Sequence, residues 1–198
     1  MIILGRGTSL KRLEVYQDID DKNVAIVNNF NYELGLDYIK DFLKGKSVTQ
    51  FINRETMSFL KKEYYFDFNI DCILNVLRSE YNDSNIRKTL NRYQISTNYL
   101  LNIMVEYSKD QKGGFPTTGI LSIVYSSVVL KAKDVYIIGV DFYDTNYNNG
   151  RVSKDYQKQK GLVMKEFLTD HIRKTPEVNY VVCTDSNWRV DLPNVEFV

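Results

Sequence analysis

Histidine is almost missing from this chain and cysteine is scarce: His171 stands alone, and Cys72 and Cys183 lie far apart. With no close pair of either type there is no Cys/His set from which to build a zinc site. Two buried thiols in a reducing compartment are the expectation instead. Charge of one sign is missing too. Lys plus Arg number 26 against 25 Asp plus Glu. The whole-molecule field that draws a dedicated nucleic-acid binder to phosphates is therefore absent, and only a local basic groove stays open. Prolines number 3 and glycines 10, and no linker, repeat or low-complexity stretch interrupts the chain, so residues 1–198 read as one domain. No run approaches the roughly 20 apolar residues of a membrane span. The opening Met-Ile-Ile-Leu-Gly is too short for a signal-peptide core and lacks a basic leader, so the expected location is cytoplasmic.

What is present is ordinary in amount and informative in order. The 198 residues are 43% apolar and 26% charged, enough to bury a core without disulfides or metal. Tyrosine is abundant, fifteen against one Trp, and suits both cores and sugar or base platforms. Short β-rich runs alternate with helical stretches. Ile2 to Leu4 leads through Gly5-Arg6-Gly7 to Thr8 and Ser9, which are placed to cap a helix. Asn23 to Val27 and Ser47 to Ile52 read as strands, and Leu36 to Leu43 and Arg54 to Lys61 as helices. Asp71 to Arg78 fits either a buried strand or a short helix. The spacing of Leu100, Leu101, Met104 and Val105 predicts a helix over Ser96 to Ser108. Ile120 to Leu130 reads as a buried helix, Asp134 to Val140 as a central strand, Lys154 to Arg173 as an amphipathic helix, and Asn179 to Cys183 and Val195 to Val198 as further strands. The pattern predicts an α/β protein: a single Rossmann-like domain with a mostly parallel sheet flanked by helices.

Ligands of open parallel sheets bind beyond the carboxyl ends of the strands. The residues there are Gly5 to Ser9, Asn28-Asn29, Asn53, Asp141-Phe142-Tyr143 and Thr184-Asp185-Ser186, with Thr117-Thr118-Gly119 opening a helix that can face the same edge. The Gly-x-Gly turn allows close backbone approach, and the amides of the helix start favour an anion such as phosphate. A tight turn with no ligand explains the same residues. The third glycine of the dinucleotide fingerprint is replaced by Leu10, which argues against hydride chemistry. Asn28 and Asn53 suit a ribose, base or sugar, or simply cap the next helix. Asp18-x-Asp20 reads as a solvated turn at the opposite end of the sheet. His171 sits late in a charged helix, where a structural role is favoured over a catalytic one.

Taken in order, these segments resemble the bacterial sialyltransferases of glycosyltransferase family 42. The matching stretches are Gly5-Arg6-Gly7-Thr8-Ser9-Leu10, Asn28-Asn29-Phe30, Phe51-Ile52-Asn53, Thr117-Thr118-Gly119 and Gly139-Val140-Asp141-Phe142-Tyr143, with Tyr180-Val181-Val182-Cys183 similar near the end. The resemblance implies a transferase that uses a CMP-activated sugar as co-substrate, with no cofactor and no metal. It implies that Gly5, Arg6, Gly7, Thr8 and Ser9 hold the donor near its phosphate, and that Asn28 and Asn53 contact nucleotide and sugar. Thr117, Thr118 and Gly119 line the donor site, Phe142 and Tyr143 meet nucleotide and phosphate, and a tyrosine hydroxyl there stabilises the leaving group.

Arg6 replaces the family's asparagine between the glycines and can pair with phosphate or carboxylate. The family's long lid, with its second tyrosine and a histidine base, is replaced by a short loop. Tyr147 is the candidate for that tyrosine, and Asp144, Asp155 or Tyr156 for the base. A sugar other than sialic acid, such as another acidic sugar or a pentose, fits these departures. The expected acceptor is a glycan hydroxyl. Alternatives are a base in DNA, to which Arg87, Lys88 and Arg92 would lend local charge, or a nucleotide-binding module without catalysis. A homo-oligomer is compatible with the sequence.

Overall fold

The computed structural model describes residues 1–28, 37–53, 68, 70–75, 96–99, 116–146 and 155–198. The strands are β1 (Ile2–Leu4), β2 (Asn23–Val27), β3 (Ser47–Ile52), β4 (Ile70–Asn75), β5 (Ser96–Tyr99), β6 (Asp134–Ile138), β7 (Asn179–Cys183) and β8 (Val195–Phe197). They form one sheet in the order β5-β4-β3-β2-β1-β6-β7-β8. All seven pairings are parallel. Among the described residues the helices are α1 (Asp37–Leu43), α2 (Thr118–Val124), extended by a π turn over Tyr125–Val129, and α3 (Asp155–Lys174), with a 3-10 segment at Thr8–Tyr16.

Strand side chains alternate between faces, and the apolar pattern follows that period. Ile2, Leu4, Val24, Ile26, Val48, Ile52 and Ile73 face one core, closed by Leu10, Leu13 and Tyr16 of the 3-10 segment and by Ile39 and Leu43 of α1. Ile3, Ala25, Val27, Phe51 and Leu74 face the other, closed by Ile120, Ile123 and Val124 of α2 and by Met164, Phe167, Leu168 and Ile172 of α3. Each fully buried aliphatic side chain contributes about 2 kcal/mol of transfer free energy, so both faces of β1, β2 and β6 must stay covered. This three-layer α/β arrangement is the Rossmann-like architecture that the sequence predicts. Among the described residues no helix is long and apolar enough to cross a membrane.

The chain fills the sheet outward from β1 to β5, then returns and continues on the other side with β6, β7 and β8. The direction reverses between β1 and β6, the position at which open parallel sheets ordinarily bind their ligands.

Three expectations need correction. The helix predicted from Ser96 does not begin there: Ser96–Tyr99 is the edge strand β5, paired with Cys72–Asn75. Its four residues precede the apolar spacing that suggested a helix, and residues 100–108 lie outside the described residues. Thr8 and Ser9 do not cap the first helix. Gly7 takes that position, and the segment is 3-10 with an irregular Arg12. The central strand ends at Ile138 rather than Val140, because Gly139 turns the backbone with φ +74°. Asp71 to Arg78, open to two readings, is a strand as far as Asn75. The helix predicted at Arg54 to Lys61, the Asn29 and Phe30 of the second motif, and the basic cluster Arg87, Lys88 and Arg92 lie outside the described residues.

Candidate functional site

The exits of β1 and β6 run in contact. The Gly5 N–H donates to Ile138 O and the Gly7 N–H to Gly139 O, both at 2.7 Å. A Cβ on Gly5 would lie 2.2 Å from Gly139 O, so glycine is required for these backbones to approach.

Beyond Gly139 the chain reaches Asp141, a carboxylate only 4% exposed. Its Oδ1 accepts from the Ser9 hydroxyl at 2.6 Å, the Thr184 hydroxyl at 2.9 Å and the Asp185 N–H at 3.1 Å. Its Oδ2 accepts from the Ser9 N–H at 2.9 Å, with the Thr145 hydroxyl at 3.3 Å and the Thr8 hydroxyl at 3.4 Å. Thr8 lies closer to Asp185, at 2.7 Å, and Asp185 also pairs with Arg12. Loops after β1, β6 and β7 therefore meet on one side chain. Sequence reasoning set Asp141 among the post-strand residues without seeing this role. The available signal was an acidic residue leaving a buried strand while serine and threonine leave its neighbours.

The next two residues are both left-handed: Phe142 has φ +52° and Tyr143 φ +63°. For bulky L-residues this costs about 1–2 kcal/mol each, and such strain collects at ligand clamps and active sites. Packing holds it in place. The Phe142 ring is buried, with its centroid 5.0 Å from that of Trp188. On α3, Gly161 lies against the Phe142 carbonyl so closely that a Cβ would come within 1.9 Å of that oxygen.

Asp144 follows, bound to the Ser186 hydroxyl, to Lys165 Nζ at 2.6 Å and to the Asn187 N–H at 3.2 Å. Burial works to raise its carboxyl, but the hydrogen bonds from Lys165 and Ser186 overcome it and hold the group below the ordinary carboxylate range. A carboxylate so held is a strut and a weak proton acceptor.

On the other side of β1, Asn28 leaves β2 with φ +60°. Its N–H donates to Phe51 O at 2.7 Å, and its carbonyl accepts from Gln50 Nε2 at 2.8 Å. Gln50 is fully buried, and sequence reasoning passed over it. Asn53 leaves β3 on the same edge, half-buried. Thr117 caps α2, its hydroxyl accepting from the Ile120 N–H at 3.5 Å. A Cβ on Gly119 would lie 3.7 Å from Val140 and 4.0 Å from Val27, so the start of α2 sits over the β2 and β6 exits.

The edge thus brings together Gly5, Arg6, Gly7, Thr8, Ser9, Asn28, Asn53, Thr117, Thr118, Gly119, Phe142, Tyr143 and Asp144. Asp155 lies exposed at the first position of α3. Tyr147 and the side chain of Tyr156 lie outside the described residues. His171 is elsewhere, buried at the far end of α3, with Nε2 2.8 Å from Ser127 Oγ. Among the described residues no three His, Cys, Asp or Glu side chains gather as a metal ion would need.

Fold and edge define a Rossmann-like α/β protein with a polar carboxyl edge at the point where strand order reverses. No family model, curated protein or solved structure matches the chain.

Proposed function

We propose that the protein is a glycosyltransferase resembling the sialyltransferases, moving a sugar from a CMP-linked donor to a hydroxyl acceptor without a metal ion. The observation that carries the reading is the convergence of the five motif segments on one edge, with left-handed backbone at Asn28, Phe142 and Tyr143. Asn28 and Asn53 offer amides to the nucleotide, and Thr117, Thr118 and Gly119 approach it from the start of α2, which sits over the β2 and β6 exits. The amides of Gly5, Gly7, Ser9 and Leu10 are spent within the protein, and the turn's contribution to the donor is assigned to the Arg6 side chain.

In the reaction the acceptor oxygen bonds to the anomeric carbon. The bond from that carbon to the phosphate oxygen breaks, and CMP leaves with the electron pair. Arg6 and the Tyr143 hydroxyl take up the charge developing on the phosphate. The acceptor's proton goes to a base at the start of α3, Asp155 or Tyr156. Asp144 is the weaker candidate because Lys165 already holds it.

Incubation with a panel of CMP- and UDP-sugars tests this. Release of free nucleotide that depends on one donor and one acceptor is expected. Asn53→Ala and Tyr143→Phe should each cut transfer by about 10–100-fold. Donor binding without turnover would leave a nucleotide-binding module, and donor binding unchanged in both variants would remove the site assignment.

A further inference from the structure

A glycine turn between a parallel strand and a helix ordinarily leaves its first amides bare for an anion. Here four of them, those of Gly5, Gly7, Ser9 and Leu10, are occupied. Gly5 and Gly7 donate to the β6 exit, and the Leu10 N–H turns back to Gly7 O at 3.2 Å. The Ser9 N–H, at the positive end of the 3-10 segment, donates to Asp141 Oδ2 at 2.9 Å. That acceptor is a buried carboxylate from another strand's exit. Its second oxygen is filled by the Ser9 and Thr184 hydroxyls and the Asp185 N–H. Gly7 makes room for it: a Cβ there would lie 2.2 Å from Asp141 Oδ2.

We propose that Asp141 is a built-in anion, a positioning residue whose carboxylate stands where a ligand's phosphate would sit on the glycine turn and locks the loops after β1 and β7 into one floor. A phosphate-bearing ligand therefore does not dock on the Ser9 amide. The Ser9 hydroxyl completes the lock, since it donates to Asp141 and accepts from the Gly139 N–H at 2.9 Å. The inference is independent of the transferase reading: a chain that bound no nucleotide sugar would still carry the lock.

The unaltered chain gives the first test. In an amide-resolved NMR titration with inorganic phosphate, the Ser9 resonance is expected to stay in place. A saturable shift of Ser9 would overturn the proposal. The second test removes the internal anion. Asp141→Ala is expected to lower the melting temperature by about 10 °C, and formate or inorganic phosphate should recover most of that loss by filling the vacated position. The same salts should leave the parent chain unchanged. They should also fail to rescue Asp141→Asn, whose amide fills the space and in either orientation sets its NH2 against a backbone donor, the Ser9 or the Asp185 N–H. Equal responses of parent and both variants to formate would reduce the effect to general salt stabilisation. That result sinks the proposal, as does an Asp141→Ala chain that melts with the parent or stays unfolded in formate. Neither test uses a donor sugar, so failure here is distinct from failure of the transferase reading.

Discussion

Two buried polar networks hang on this sheet at opposite ends. At the carboxyl edge, Asp141 gathers donors from the loops after β1, β6 and β7. At the amino end, His171 lies 2.8 Å from Ser127, and Thr175 Oγ1 lies 2.7 Å from the Tyr180 hydroxyl, which is itself 3.5 Å from His171. Asp141 and His171 are both almost fully buried and hydrogen-bonded. The two networks differ in what they join. The Asp141 network ties together chain segments that leave the carboxyl ends of three different strands. The His171 network joins α3, the π turn after α2 and the start of β7, all already packed in one core. A buried hydrogen-bonded cluster is therefore no mark of a functional site by itself; its place relative to the strand exits decides.

The strongest way to break the comparison is steric. Gly7→Ala drives a Cβ to 2.2 Å from Asp141 Oδ2 and 2.8 Å from Asp141 Cβ. The carboxylate cannot swing away without abandoning its donors. We expect a loss of about 3 kcal/mol or more in urea unfolding. In an Asp141→Gly background the same change should cost less, with a coupling above about 1 kcal/mol. Additive costs would mean that Asp141 does not confine Gly7. A small residue placed in the amino-end network, as in Ser127→Ala, should show no coupling to Gly7.

The second effect belongs to the amino end alone. Burial, with Lys174 adding to it and Glu177 opposing, lowers the His171 pKa to about 4 from its ordinary 6.5. Above pH 6.5 the ring is neutral in both folded and unfolded chains and costs nothing. As pH falls below that value the unfolded chain takes up a proton that the folded chain refuses. Stability then erodes until the folded pKa is passed, by about 3 kcal/mol in all. His171→Gln keeps a hydrogen-bonding partner for Ser127 and removes the titration. Its unfolding free energy should fall less steeply through this window than that of the parent. Parallel curves for the two proteins would place the acid sensitivity elsewhere.

The same contrast explains what the sequence made legible. Strand identity and sheet class could be read because apolar period and length are local: Asn23–Val27, Ser47–Ile52 and Asn179–Cys183 fall where the residues predict. The segments of the edge were legible because strand exits in a parallel sheet share one side. The bonding within the edge was hidden, because Ser9 and Asp141 are 132 positions apart and their meeting depends on β1 lying beside β6. For the same reason Thr8 and Ser9 looked like caps: a hydroxyl before a helical stretch ordinarily bonds its own helix, and here both turn to carboxylates that arrive from the far half of the sheet. Gly161 carried no signal in its helical context, although the Phe142 carbonyl depends on the space it leaves.

The smallest expected effect concerns the β2 and β3 side of the carboxyl edge. Gln50 is fully buried on β3, with Ile26 and Ile73 as its register neighbours. Its Nε2 holds the Asn28 carbonyl at 2.8 Å, while its Oε1 has no hydrogen-bond partner among the described residues. A buried acceptor left bare costs about 1–3 kcal/mol, and a made hydrogen bond returns about 1. Gln50→Leu removes both terms at similar volume, so its net effect on stability should stay below about 1 kcal/mol. Its local effect should be larger. Without the amide, the Asn28 carbonyl loses its bond from Gln50, while its N–H keeps the bond to Phe51. Hydrogen exchange at Asn28 should then rise while exchange in β1 and β6 stays as in the parent. An unchanged Asn28 would show that the backbone pairing alone holds the turn, and Gln50 would then be a filler of the core.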